Sequence, residues 1–157
     1  MEVRAARPDD LDRLVPLLQE MEAHYGIPPQ SVAATRRRLQ EVLFGTPALA
    51  RLLVVVEDGL ALGFVTCNTS FPSPGLGTRL VIEDLYVATV ARNRGFGLRL
   101  LQAAAALAED LGCRELGWTT DPGNLGAQRF YDRLAARRIE KVVYRIDAAA
   151  LRSGVAS

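Results

Sequence analysis

The chain has 157 residues, of which 49% are hydrophobic and 24% charged, and its formal net charge is +1. Such a length and composition suit one globular domain with a single sizeable core and exclude a disordered or low-complexity chain. The near-neutral balance excludes a global attraction to nucleic acid or to an anionic membrane, so any basic site must be local.

The opening run "MEVRAARPDD" carries charges where a signal peptide needs an apolar segment, and the longest apolar run, "LLVVV", is too short to cross a bilayer. Cys67 and Cys113 lack metal-ligand spacing and read as reduced thiols. The expected location is therefore cytoplasmic, with neither membrane nor nucleic acid as a partner.

In chain order, "EVRAA" reads as a short strand, followed by Pro8 at the first turn of a helix. Leu11, Leu14, Val15, Leu18 and Met21 recur at helical spacing, and Pro16 inside that stripe predicts a kink or break. A second helix is expected over about 31–44, its Arg36, Arg37 and Arg38 forming a solvated face. "LARLLVVVEDGLALGFVTCNTS" reads as two strands joined by an Asp58-Gly59 turn. "FPSPGLG" reads as a loop and "RLVIEDLYV" as the next strand. A helix then runs to about Leu111, capped by Gly112. "RELGWTT" is a strand, and "NLGAQRFYDRLA" is a helix with Ala127, Phe130, Tyr131 and Leu134 on one face. "KVVYRID" reads as a closing strand, and the tail "LRSGVAS" is expected to fray. The order gives an α/β or α+β domain with a mixed sheet, in one piece over 1–157.

"ARNRGFGLRLL", at 91–101, stands between a strand and a long helix. A Walker loop would need Lys and Ser or Thr after its last glycine, where Leu98 and Arg99 stand. A dinucleotide fingerprint would need a small residue at Leu100 and would follow the first strand. Two readings survive. One is a general anion site, made of free helix N–H groups, glycines that permit close approach, and Arg92, Arg94 and Arg99. The other is a glycine-rich turn that binds nothing.

Four segments in order, "VIEDLYV", "RNRGFG", "LGWTT" and "NLGAQRFYDRLAA", resemble the GNAT superfamily of N-acetyltransferases, closely over 80–136. Within it, "IEDLYV … RNRGFG … N-x-x-A-x-x-FY" is most similar to the polyamine (spermidine/spermine) type of small-amine acetyltransferase. The resemblance implies a mixed, mostly antiparallel sheet of about six or seven strands with about four flanking helices, splayed between the "IEDLYV" and "LGWTT" strands. It implies acetyl-CoA as cosubstrate, no metal, a small amine acceptor and a homodimer.

It also implies roles for particular residues. The main chain of Arg92, Asn93, Arg94, Gly95, Phe96 and Gly97 would cradle a pyrophosphate. Leu85, Tyr86 and Val87 would pair with the pantetheine arm, Asn124 would contact it, and Tyr131 would lie near the sulfur. Glu83 matches the proposed general base, with Asp84 beside it for a cationic acceptor. Asn93 replaces a frequent glycine, a mild change because Asn tolerates the left-handed region. Ala135 stands where the family has glycine, which alters the end of that helix.

Deprotonating an alkyl ammonium, whose pKa is near ~10.4, requires a base. A carboxylate walled by Val81, Ile82 and Leu85 would have its pKa raised by desolvation. On a regular strand Glu83 and Asp84 point to opposite faces, so a β-bulge is expected here. Acceptor contacts are expected from "QEMEAHYG", chiefly Glu22 and Tyr25. With His24 the single histidine, a histidine relay is not expected. A protein N-terminus or lysine as acceptor, and a non-catalytic acetyl-CoA-binding module, are the competing readings.

Overall fold

The computed structural model describes residues 1–154, which form two compact units, Met1–Thr119 and a second from Thr120 onward. The first unit holds a sheet of five strands in sequential order. They are β1 (Glu2–Ala5), β2 (Arg51–Glu57), β3 (Leu60–Ser73), β4 (Gly77–Val87) and β5 (Glu115–Trp118). The first four pair antiparallel and β5 pairs parallel to β4. Helices α1 (Leu11–His24), α2 (Val32–Phe44) and α3 (Phe96–Asp110) complete this unit. The second unit holds α4 (Leu125–Asp132) and α5 (Ala148–Arg152).

Most boundaries follow from local chemistry. Ser31 caps α2 by accepting from the Ala34 N–H at 3.2 Å. Asp58 and Gly59 both sit in the left-handed region, at φ 51 and 79, as a tight hairpin turn between right-twisted strands requires. Gly112 at φ 67 ends α3, where the Cys113 N–H reaches back to the Ala108 carbonyl at 2.8 Å. In α2, Arg36 pairs with Asp12 and Arg38 with Glu41, and all three successive arginines are exposed.

Several expectations are corrected. Among the described residues the sheet has five strands rather than six or seven, because 141–147 form no strand. The described residues hold five α-helices rather than about four, since 148–152 are helical and run into the expected tail; residues 155–157 lie outside the described residues. Pro16 does not break α1. Its ring is on the exposed face, where water can satisfy the carbonyl it leaves free, and Leu17 rather than Leu18 is fully buried. The "FPSPGLG" segment is half strand: β3 runs through Pro72 to Ser73, with a register irregularity between Ser70 and Ser73 that absorbs the proline.

The two sheet faces carry different helices. Phe64 and Tyr86 are cross-strand partners, and the Tyr86 hydroxyl reaches Glu20 of α1. Their neighbours on the opposite face meet α3. A Cβ on Gly63 would stand 2.9 Å from the Tyr86 carbonyl and 3.2 Å from Leu100 Cδ1, so only glycine permits this approach. Phe96, Leu100, Ala104 and Ala108, spaced by four, bury the inner stripe of α3 together with Leu101.

One buried charge ties β1 to α1. Asp10 is 2% exposed and accepts from Arg4 Nη1 at 2.6 Å, Arg4 Nη2 at 2.9 Å and the Arg7 N–H at 2.8 Å. The Arg4 hydrogen bonds hold its carboxyl below the usual range, outweighing the opposing effect of burial. The contribution to stability is therefore present above the unfolded pKa of about 3.9 and is lost as pH falls through the folded value. Asp10→Asn should cost about 3 kcal/mol near neutrality, since it leaves the largely buried Arg4 with only the exposed Glu2 carboxylate, 3.1 Å from its Nε, as an anion. Thermal melts of both proteins should converge as the pH approaches ~2; a constant offset across that range would contradict this assignment.

Candidate active site

The site begins with a miscount between two strands. Ile82 pairs with Cys67 and Asp84 pairs with Thr66, so Glu83 is one residue more than β3 can match. This is the β-bulge expected from the "IED" segment. The Asp84 N–H donates to Thr66 Oγ1 at 3.1 Å, a side-chain bond inside the irregular ladder.

The two carboxylates at the bulge differ in exposure. Glu83 is exposed and Asp84 half-buried. Burial raises the Asp84 pKa, and the charge of Glu83 beside it adds to the rise. The desolvation expected of Glu83 therefore falls on Asp84, because the extra residue of the bulge is the one that faces solvent.

At the same point β4 loses a neighbour. The parallel pairing with β5 ends at Ile82 and Trp118, while β4 continues to Val87 beside β3 alone. The Ala88 N–H bonds the Leu62 carbonyl at 2.9 Å on the β3 side. Alternation along the strand then turns Tyr86 toward β3 and Leu85 and Val87 toward the side β5 has left. Of these outward groups, the Val87 carbonyl accepts from Arg92 Nε at 3.3 Å. The expected splay is thus present as an edge with no strand partner.

Beyond β4 the chain makes a 3-10 turn at Thr89–Ala91 and then alternates sharply. Asn93 has φ 62 and Gly95 φ 79, with Gly95 standing at the N-cap of α3. A glycine cap has no side chain to give, so the first N–H groups of α3 have neither an intrahelical acceptor nor a side-chain cap. With the helix dipole behind them they suit an anion. The arginines expected to add counter-charge are partly engaged. Arg94 pairs with Glu57 and lies over the Phe96 ring at 4.7 Å, while Arg92 lies 5.7 Å from the Tyr86 ring centre. No partner of this kind fixes Arg99, one turn inside the helix, among the described residues.

Glu20 lies within the stretch expected to meet the acceptor but was not singled out there, although it stands three residues after Leu17 on the stripe side of α1, where a carboxylate is out of place. Its Oε1 accepts from the Tyr86 hydroxyl at 3.0 Å and from the Thr89 N–H at 2.8 Å. Burial alone would raise its pKa; the bonds from Thr89 and Tyr86 and the charge of Arg92 outweigh that and lower it. Farther along α1, Glu22 Oε2 is buried with no hydrogen-bond partner among the described residues. His24 meets Tyr25 edge-on at 5.4 Å and lies 6.3 Å from Tyr86, and Tyr25 is half exposed. A concavity of about 600 Å³ near Pro16, Leu62 and Val90 includes Glu20 but none of the residues expected from sequence.

In the second unit, Asn124 caps α4 by accepting from the Ala127 N–H at 3.1 Å, leaving its amide NH₂ available. Tyr131 is half-buried beside Phe130, with ring centres 5.3 Å apart. Ala127, Phe130, Tyr131 and Leu134 are all partly buried, as one helix face should be, although α4 itself ends at Asp132. Ala135 adopts φ 55, the left-handed conformation for which glycine is better suited.

Comparison with known sequences decides what this geometry belongs to. The acetyltransferase (GNAT) family model matches residues 15–136, more than half of the chain. The chain belongs to the GNAT family. It is a GNAT-type N-acetyltransferase. It is 28% identical over 148 residues to a D-amino-acid N-acetyltransferase of Saccharomyces cerevisiae, covering 91% of this chain and 88% of that one. It is 25% identical over 156 residues to a thialysine N-epsilon-acetyltransferase of Caenorhabditis elegans, covering 96% and 94%. Among solved structures it is similar to an integron cassette protein from the mobile metagenome of V. cholerae, with a TM-score of 0.88 and 29% identity over 99% of this chain and 98% of that chain. Among the described residues no helix is long and apolar enough to cross a membrane.

The raised pKa of Asp84 has a sign opposite to that of Asp10. Its effect on stability is most favourable below the unfolded pKa of about 3.9 and is lost as pH rises through the folded value. Asp84→Asn should therefore raise the melting temperature near neutral pH, by roughly 2–4 °C for each kcal/mol relieved, and should give no gain in acid. Calorimetry at both pH values checks this, and a variant less stable at neutral pH would contradict it.

Proposed function

We propose that this acetyltransferase moves the acetyl group of acetyl-CoA to the primary amine of a small cationic acceptor of the polyamine type. The observation that carries the proposal is the bulge. It sets two carboxylates, one exposed and one half-buried, at the point where β4 leaves an edge without a strand partner. On α1, Glu22 holds a buried oxygen that a cation would satisfy. Such surroundings favour an acceptor rich in ammonium groups and disfavour one that carries a carboxylate.

In this reading the N–H groups from Asn93 to Gly97 receive the pyrophosphate, while the Arg92 N–H donates to the Thr89 carbonyl at 3.4 Å. Leu85 and Val87 on the open edge take the pantetheine arm as an added strand, next to the main chain of Tyr86, and Asn124 offers its amide to the same arm. Asp84, Glu22 and Tyr25 receive the acceptor. The incoming ammonium loses a proton to Glu83, directly or through one water, because only the neutral amine has a lone pair to attack. The C–N bond then forms as the thioester C–S bond breaks. Tyr131 gives its proton to the departing thiolate, whose thiol has a pKa of roughly 8.5 by analogy with cysteine. Attack is direct in this reading, and the buried Cys67 thiol, pushed up to about 11 by desolvation, is poorly suited to a covalent role.

A second reading keeps the chemistry and changes the acceptor to an amino acid, which the names of the yeast and nematode relatives favour. Thiol release over a panel of spermidine, putrescine, lysine and D-amino acids separates the two. Turnover confined to acceptors with a carboxylate would overturn the polyamine reading. Glu83→Gln should lower the rate about 10²–10⁴-fold near neutrality and by less at alkaline pH, where free amine is abundant. Tyr131→Phe should slow transfer at unchanged acetyl-CoA affinity. An unaltered pH–rate profile in the Glu83 variant would remove it as the base.

A further inference from the structure

The Glu20 carboxylate lies outside every role assigned above, yet it touches both the strand and the turn that lead into the anion loop. Its Oε1 accepts from the Tyr86 hydroxyl at 3.0 Å, one residue before the last of β4, and from the Thr89 N–H at 2.8 Å, the first residue of the 3-10 turn. Arg92, which closes that turn, lies over the Tyr86 ring and bonds the Val87 carbonyl. One carboxylate oxygen on α1 thus ties the end of β4 to the first residue of the turn, where the path to the uncapped start of α3 begins. Three residues separate Arg92 from α3, and two of those are left-handed, so the direction in which the N–H groups point is set largely by how the turn at Thr89 is held.

We propose that Glu20 is a positioning residue for the anion loop, fixing the Thr89–Ala91 turn so that the first N–H groups of α3 converge on the pyrophosphate of acetyl-CoA. It acts through Thr89 and Tyr86 and touches neither the acceptor nor the reacting carbonyl. The proposal rests on the loop's assignment to acetyl-CoA, and it goes further by making α1 part of cosubstrate binding.

The conservative variant discriminates this from a general role in folding. Glu20→Gln retains an amide oxygen able to accept from both donors, whereas Glu20→Ala removes it. The bonds are charge-assisted, so their loss corresponds to about tenfold or more in the affinity they support. Titration calorimetry with CoA, together with steady-state kinetics, gives the test. Glu20→Ala should raise the CoA Kd and the acetyl-CoA KM about tenfold, with kcat and the amine KM within about twofold, and Glu20→Gln should restore most of the affinity. If Glu20→Ala does not fold, the near-isosteric Glu20→Met, which fills the same space without an acceptor, should raise the CoA Kd by the same factor, and an unchanged Kd in that variant overturns the proposal. Equal CoA affinity in the parent and Glu20→Ala overturns the proposal and leaves the loop's assignment standing, as does a common shift in kcat and both KM values. A parent chain that fails to bind CoA removes both.

Discussion

The structure depends on one strand being required to pair on both sides and then on only one. Up to Ile82, β4 is an interior strand with β3 and β5 as neighbours. Past it the β5 partner ends, and β4 enters its last stretch with outward main-chain groups that the sheet cannot satisfy. Such groups are costly when buried and inviting when open, because an extended ligand can complete the ladder. The bulge at Glu83 sits at that transition. It interrupts the alternation of the strand there, with Glu83 exposed and Asp84 half-buried beside the same edge.

Charge burial follows a corresponding logic in three places. Asp10 is buried and fully partnered, so its ionised form stabilises the join between β1 and α1. Glu20 is partly buried and held ionised by donors from β4 and the following turn. Asp84 has no charged donor to offset its burial and lies next to a second carboxylate, so its ionised form is disfavoured. The first two arrangements build the scaffold. The third is a local cost of the kind expected at a working site, where a cation arriving from solvent would relieve it.

Much of the fold was legible because local chemistry and tertiary structure agree. Asp58-Gly59 specifies a left-handed turn and Gly112 a helix stop, and each occurs where the sequence places it. The bulge was legible too, since two adjacent acids on one strand reach a common cleft only if alternation fails. The misses have the opposite character. "KVVYRID" has strand-forming residues, but a strand exists only against a partner, and Val142 and Tyr144 are 78% and 89% exposed. Gly63 reads as an ordinary residue of a strand until α3 is seen lying against it. Glu20 was overlooked because its donors, Tyr86 and Thr89, are more than sixty residues away in sequence. In each case the deciding neighbour is distant in the chain, and periodicity carries no record of it.

The central claim is that the β4 edge past Ile82 and the start of α3 are completed together by one ligand, the pantetheine and pyrophosphate of CoA. Amide hydrogen exchange with and without CoA addresses both in one measurement. The account predicts slowed exchange at Leu85 and Val87 on the open edge and at Phe96, Gly97 and Leu98 at the helix start, with little change at Tyr86, whose N–H already faces β3. Saturating CoA that protects none of these amides, or that protects a different edge of the sheet, would contradict it.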